Sequence, residues 1–421
     1  MTTTVYLAAG KRTPFTRVDG PLAKSEIVAL SGHVLRAMAA KLRGPIDGVI
    51  WGTVAQHVSV SNLAREASAE AGLDFSIPAH SVVMACCTSM IAAFDAAGHI
   101  ARGGANLMAV GGTELMSQVQ VGLTQGLSDT IRRVSQAKTL QARAQVIASL
   151  KAKDLGLDVP KVANRITGKS MGEHQEETSK VWSISRQAQD EWALLSHQRA
   201  VAGRTNGFFA QDIVETQGAR DDAFPRAETT LEKLAKLKPV FDRSEKGTLT
   251  AGNSSPLTDG SAGVFVSSKA GLERLPEGAP YAELVDFEVC AIDPNRYGLL
   301  MAPAFGVPRL LLRNGLTYQD VSLYELHEAF ASQILTHFAG FEDAPFLKNF
   351  GVERKGLGEF PKERVNPNGG SVALGHPFAA TGARILGQAI RELWARKSGD
   401  FAIVSVCADG GLGTISLLRR P

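Results

Sequence analysis

One pattern runs twice through this chain and constrains its fold more than any other. Residues 85–104 read as a glycine-ended helical segment feeding the strand Asn106–Val110 and a Gly111-Gly112-Thr113-Glu114 turn. Residues 376–395 read as a second such segment, feeding the strand Phe401–Val406 and a turn from Cys407 to Gly413. Helix, strand and Gly-Gly turn therefore recur in the same order. Two related α/β halves packed together explain the repeat.

At 421 residues the chain is long enough for two or three domains, and its 42 glycines suit an α/β protein with tight strand–helix turns. A net charge of +3 gives no argument for a nucleic-acid partner. No apolar run approaches the length needed to span a bilayer. The stretch Met1–Ala9 lacks both a basic leader with a long apolar core and an Arg-rich transit pattern, so a cytoplasmic location is expected. The four cysteines, Cys86, Cys87, Cys290 and Cys407, show neither a disulfide framework nor C-x-x-C metal spacing, and suit a reducing compartment.

Strands are predicted at Val5–Gly10 and Val49–Val54, and helices over 25–42 and 61–72, the second capped near Ser61. The stretch 118–242 is polar and helix-rich, with a long helix at Ser185–Gly203. Within it, 131–153 carries Arg132, Arg133, Lys138, Arg143, Lys151 and Lys153, no acidic residue, and an irregular apolar face of Ile131, Val134, Leu140, Val146, Ile147 and Leu150. Such a segment suits an anionic membrane surface or acidic ligands, and equally a solvated helix packed on its domain. A Gly/Ser-rich loop at Ala251–Gly260 then leads into a strand at Ala262–Val266. The expected partition is a first half over 1–117, a helical insertion over 118–242, a return to the first half over 243–275, and a second half over 276–421.

The chemistry concentrates at three places. The run Asn368–Arg384 puts His376 in a glycine-rich turn, and Cys407-Ala408-Asp409-Gly410-Gly411 follows one helix and one strand later. A histidine there can move protons near neutral pH, and a thiol nearby can serve as nucleophile or acid–base partner. Gly-His-Pro alone is also an ordinary turn; its pairing with cysteines gives it weight. Upstream, Met84-Ala85-Cys86-Cys87-Thr88 puts two thiols where an apolar strand meets a helix. Helix N-terminal N–H groups there favour a thiolate and can hold an oxyanion, although two adjacent buried cysteines also pack well as structural residues.

The segment from Cys86 through Ile100 and Gly103 to Ala109–Ser117 resembles the nucleophile region of thiolases. Asn368–Arg384 and Cys407–Gly413 resemble that family's two later signatures, and Glu325-Leu326-His327-Glu328-Ala329-Phe330 stands where its Asn-Glu-Ala-Phe motif falls. Met171-Gly172-Glu173-His174 and the helix after it are similar to the family's middle segment. The resemblance runs from Arg12 to Gly413. It implies a thiolase-like duplicated α/β fold, two halves in alternating helix and sheet layers with a helical loop-domain insertion. The implied activity is cleavage of a 3-oxoacyl-CoA by CoA, giving acetyl-CoA and a shortened acyl-CoA through an acyl-cysteine.

Family spacing selects Cys86 over Cys87 as nucleophile, His376 as its base and Cys407 as the second acid–base thiol. The resemblance further implies that His327 joins His376 at the enolate oxygen, that backbone N–H groups of Cys86 and Asp409 form an oxyanion site, and that Ser255 and Phe330 lie along the bound CoA substrate. No cofactor and no metal are implied, CoA being a substrate. The His-Glu-Ala-Phe form resembles thiolases of fatty-acid oxidation complexes, including trifunctional-enzyme β-subunits. From this follow a homodimer or higher oligomer, a possible hydratase/dehydrogenase partner subunit, and possible peripheral membrane contact through 131–153. Asp409 departs from the family's usual small residue beside Cys407. Rival readings are a short-chain acetoacetyl-CoA thiolase, a Claisen condensing enzyme of the same fold, and a noncatalytic acyl-CoA-binding subunit; the intact Cys86, His376 and Cys407 set weighs against the last.

Overall fold

The computed structural model describes residues 3–160 and 163–421. Met1 and Thr2 of the N-terminal stretch, and Lys161 and Val162 inside 118–242, lie outside the described residues. Two compact units are distinguished, one of residues 118–163 and one of the remainder.

The large unit is built on one continuous sheet. Its strands run in the order Val321–Leu326, Phe401–Ala408, Leu412–Arg419, Tyr281–Ala291, Tyr6–Arg12, Thr258–Ser267, Leu107–Glu114, Gly48–Gly52 and Ala79–His80. The short strand Thr16–Arg17 pairs alongside Thr258–Ser267. The predicted duplication is visible in the pairing. In the first half, Gly48–Gly52 lies parallel to Leu107–Glu114, which pairs antiparallel with Thr258–Ser267. In the second, Val321–Leu326 lies parallel to Phe401–Ala408, which pairs antiparallel with Leu412–Arg419. The halves join where Tyr6, Leu7 and Ala8 meet Glu283, Ala282 and Tyr281.

Helices Thr88–Ala101 and Phe378–Trp394, one from each half, pack in the same core. Met90, Ala93 and Ala97 of the first and Ile385, Leu386 and Ala389 of the second meet Val110 and Val264 of one half and Val404 and Val406 of the other. Helices Ile27–Ala39 and Leu63–Glu70 cover a separate apolar core around Trp51 and Phe265, and Ala302–Arg313 and Ala331–Glu342 cover a third around Tyr324 and Ile415. Helix and sheet layers therefore alternate, as a duplicated α/β fold requires.

Three local expectations change. Gly111 and Gly112 lie inside the strand Leu107–Glu114 and make no turn. Their glycine identity answers to close approach: a Cβ on Gly111 would stand 2.3 Å from the Ala262 carbonyl oxygen, and one on Gly112 2.3 Å from that of Ala379. Cys407 likewise belongs to the strand Phe401–Ala408, opposite Gly413, and the turn is confined to Asp409-Gly410-Gly411. Gly410 and Gly411 have φ of 85° and 76°, a region L side chains rarely adopt. The cap of helix Leu63–Glu70 is Asn62, whose side chain accepts from the Arg65 N–H at 3.1 Å; it is not Ser61.

The small unit holds helices Gln125–Gln136 and Leu140–Ala148 and a two-stranded pairing of Gly122–Leu123 with Leu157–Asp158. The basic stretch 131–153 is thus two helices, broken where Thr139 caps the second by accepting from the Ala142 N–H. No residue of either helix is buried, and Ile131, Leu140 and Ile147 are exposed. Among the described residues no helix is long and apolar enough to cross a membrane.

Candidate active site

Cys86 sits on a sharp turn ahead of helix Thr88–Ala101, following Ala85, which has a φ of 45°. A left-handed conformation at alanine is strained, and Thr88 holds it in place. The Thr88 hydroxyl accepts from the Met84 N–H at 2.9 Å and donates to the Ala85 carbonyl at 2.7 Å. The turn sends the two cysteines in different directions. Cys86 is partly exposed, with its sulfur 3.1 Å from His376 Nε2. Cys87 is fully buried and directs its S–H at the Val406 carbonyl, 3.2 Å away.

His376 is held from three sides. Its backbone N–H donates to the Thr258 hydroxyl at 2.9 Å, its Nδ1 lies 2.6 Å from Thr381 Oγ, and its ring lies against His327 at 4.2 Å between centroids. Thr381 stands one helical turn beyond Pro377 and has that residue's carbonyl as its own acceptor at 3.2 Å. With the Thr381 hydrogen directed at that carbonyl, Nδ1 is the donor in the Thr381–His376 contact and Nε2 is an acceptor facing the Cys86 thiol. Two further bonds fix the helix carrying Thr381. The Ser89 hydroxyl accepts from the Ala383 N–H at 2.8 Å, and the buried Glu114 carboxylate accepts from Ala379, Val54 and Ala55 N–H groups.

The electrostatics differ from the expectation of a favoured thiolate. Burial raises the Cys86 pKa, the neighbouring Cys87 and the Asp409 carboxylate raise it further, and only a hydrogen bond from the Asp409 N–H works the other way. Burial, followed by the positive charge of Arg384, depresses the His376 pKa to about 3. Both shifts favour a neutral thiol beside a neutral imidazole.

Cys407 is buried, and burial followed by the nearby Cys86 and Cys87 pushes its pKa well up. It belongs to a small apolar cluster with Leu249, Leu299, Leu300, Ala329 and Phe330, against which Met171 and Phe241 pack. Phe330 is buried edge-on to Phe241, with ring centroids 5.8 Å apart. Ser255 lies in the loop beside both histidine segments: its N–H donates to the Ala329 carbonyl, while Ser254 bridges to Phe330 and Leu257 to His376. The Asp409 carboxylate turns toward Asn164, accepting from its side-chain amide at 2.7 Å, and also accepts from the Gly410 N–H.

His327 directly follows the strand Val321–Leu326 and is 1% exposed. Its Nδ1 lies 2.9 Å from Ser371 Oγ, and its Nε2 is buried with no partner. Burial, then His376 and Arg384, lowers its pKa well below the usual imidazole value. The residue after it, Glu328, organises the surrounding loops. Its carboxylate accepts from Trp192 Nε1, the Ser196 hydroxyl, the Asn366 amide and the Val372 N–H. Sequence reasoning did not single out Glu328, Thr381, Ser371 or Arg384. All four lie inside the quoted motifs, and the i, i+4 spacing of Pro377 and Thr381 was the available signal for one of them.

A cavity of about 370 Å³ lies along helix Met171–Val181, lined by His174, Trp182, Tyr297 and Phe346 among others. His174 connects it toward Asp409, since its Nε2 contacts the Thr167 hydroxyl and the Thr167 N–H donates to Asn164. Among the described residues no cluster of three or more His, Cys, Asp or Glu side chains is placed to hold a metal ion.

Sequence comparison gives this geometry its context. Residues 5–270 match the thiolase N-terminal domain and residues 278–420 the thiolase C-terminal domain. The chain belongs to the thiolase family. It is 35% identical over 432 residues to a 3-ketoacyl-CoA thiolase of Yersinia enterocolitica, covering 99% of this chain and 96% of that one. It is 37% identical over 390 residues to the mitochondrial trifunctional enzyme subunit beta of Mus musculus, covering 91% and 80%. The thiolase fold is shared with the crystal structure of the Bacillus anthracis acetyl-CoA acetyltransferase, at a TM-score of 0.79 and 29% identity, over 100% of this chain and 99% of that one.

Proposed function

We propose that this thiolase is a 3-ketoacyl-CoA thiolase of fatty-acid oxidation. It is an acyltransferase that uses CoA as a substrate and works through an acyl-cysteine. The observation that carries the reading is the Cys86 thiol placed 3.1 Å from the acceptor nitrogen of His376. His376 Nε2 takes the proton of Cys86 as the sulfur attacks the 3-oxo carbon. The tetrahedral oxyanion rests on the backbone N–H groups of Cys86 and Asp409, where losing one donor costs ~100–1000-fold in rate. The C2–C3 bond then breaks, leaving the acyl group on Cys86 and an acetyl-CoA enolate. His327 and His376 hold the enolate oxygen, and Cys407 protonates its carbon. The Cys407 thiolate left behind takes the proton of a second CoA, whose sulfur attacks the acyl-Cys86 thioester; the C–S bond to Cys86 breaks, the shortened acyl-CoA is released, and the Cys86 thiolate recovers its proton from His376.

Ser255 and Phe330 are proposed along the bound CoA, the apolar cluster around Phe330 offering a wall for the acyl chain. The same reading includes the two-half partition with its insertion over 118–242, a homodimer or higher assembly, and a cytoplasmic location. A hydratase/dehydrogenase partner is supported by the subunit name of the mouse relative. Contact of 131–153 with an anionic membrane is supported by its basic charge and exposed apolar side chains. Short-chain acetoacetyl-CoA thiolysis is the second reading, favoured by the full-length likeness to an acetyl-CoA acetyltransferase.

CoA-dependent thiolysis of 3-oxoacyl-CoAs from four to sixteen carbons tests the proposal. Turnover of the longer substrates with an acyl adduct on Cys86 supports it. Turnover confined to four carbons selects the second reading, and no thiolysis at any length, alone or with a hydratase/dehydrogenase subunit, sinks both.

A further inference from the structure

We propose that Ser371 and Arg384 are positioning residues that hold the single proton of His327 on Nε2, so that this nitrogen faces the reaction centre only as a hydrogen-bond donor. Arg384 Nη2 lies 2.9 Å from Ser371 Oγ. A guanidinium has no lone pair, so it can only donate, and the serine oxygen must accept. Ser371 Oγ also lies 2.9 Å from His327 Nδ1, and among the described residues it has no other acceptor. The serine hydrogen therefore goes to Nδ1. With Nδ1 accepting, the neutral ring carries its hydrogen on Nε2.

That nitrogen is the one left buried and unpartnered, beside the His376 ring. His376 takes the opposite form, because Thr381 has the Pro377 carbonyl as its own acceptor and Ser371 has none among the described residues. Two adjacent imidazoles are thus set to complementary duties: one accepts the Cys86 proton, and the other presents an N–H to an oxygen that gains charge. Arg384 is itself fixed, donating to Gln388 Oε1 at 2.9 Å, while Gln388 donates to the Gly369 carbonyl. Its positive charge also opposes a second proton on His327.

The inference rests on the proposed enolate-binding role of His327 for its consequence, though not for its direct test. Full-length protein labelled with ¹⁵N-histidine has nine histidines to resolve, and His327→Asn identifies the signal of interest. The expected spectrum shows His327 protonated on Nε2 with a bare Nδ1. In Ser371→Ala the ring should become a mixture of both forms, and kcat for thiolysis should fall ~10-fold or more with KM within twofold. Ser371→Thr, which keeps the hydroxyl, should retain the Nε2–H form. A wild-type His327 protonated on Nδ1 overturns the proposal, as does a Ser371→Ala protein with unchanged spectrum and kcat. The wild-type spectrum needs no turnover, so an absence of thiolysis would count against the functional reading alone.

Discussion

Replacing Thr381 by valine removes the hydroxyl that meets His376, together with that hydroxyl's longer bond to the Pro377 carbonyl. The two side chains have nearly the same shape, and Thr381 is fully buried, so packing is largely kept. The hydroxyl 2.6 Å from His376 Nδ1 is lost. In the resting enzyme that leaves an imidazole N–H without an acceptor. When the ring takes the Cys86 proton the loss grows, because the bond then belongs to an imidazolium. Hydrogen bonds to charged groups contribute about 1.5–3 kcal/mol. At 1.36 kcal/mol per decade, acylation should slow by ~10- to 150-fold. Rapid mixing of enzyme with a 3-oxoacyl-CoA, without added CoA, reads the acylation step directly through release of acetyl-CoA. The effect should fall on that rate and on kcat/KM, and circular dichroism should be unchanged. A folded Thr381→Val enzyme within twofold of wild type would refute the claim that this bond orients the base.

Three further outcomes are expected. Cys86→Ala should abolish both thiolysis and the acyl adduct seen by mass spectrometry, whereas Cys87→Ala should keep turnover and lose about 1–2 kcal/mol of stability; turnover tracking Cys87 would reverse the assignment. Glu328→Ala strands four buried donors, each worth about 1–3 kcal/mol when left unpaired. The guanidinium midpoint should fall sharply, and an unchanged midpoint would count against this organising role. Burial holds His376 near a pKa of about 3, and His197 and His337 near about 4, each from an ordinary value of 6.5. Below pH 6.5 the unfolded chain binds protons that the folded one refuses, so stability should drop as pH falls from 6.5 toward 4. Urea midpoints at pH 7.5 and 5.5 check this, and a higher midpoint at 5.5 would contradict it.

The recurring helix and strand of each half were legible because glycine-ended helices feed apolar strands at both places, whereas the strand Tyr281–Ala291 and helices Ala302–Arg313 and Ala331–Glu342 were not read. The choice of Cys86 came from motif spacing; what the structure adds is that the turn at Ala85 parts the two thiols, one facing His376 and the other entering the core. Gly111-Gly112 misled, since glycine marks close backbone approach as readily as a turn, and only the packed helix and Trp51 decide between them. The thiolate expected at a helix start was likewise overruled by burial, a property of the assembled site that no local pattern carries. Thr381, Ser371, Arg384 and Glu328 stayed hidden for a related reason. Their meaning lies in which partner each finds across the fold.

The pairing of Cys86 with His376 spans 290 positions of chain. A ribosome adds residues from the N-terminus, so the sulfur exists long before its base does. For the 290 residues added between the two, about seven-tenths of the 421-residue chain, Cys86 is an unassisted thiol, mostly protonated at neutral pH and slow toward thioesters. Reactivity arrives only when the last strands close beside the first. On the proposed assignment, a site divided between two distant segments has no base for its thiol until both have been made.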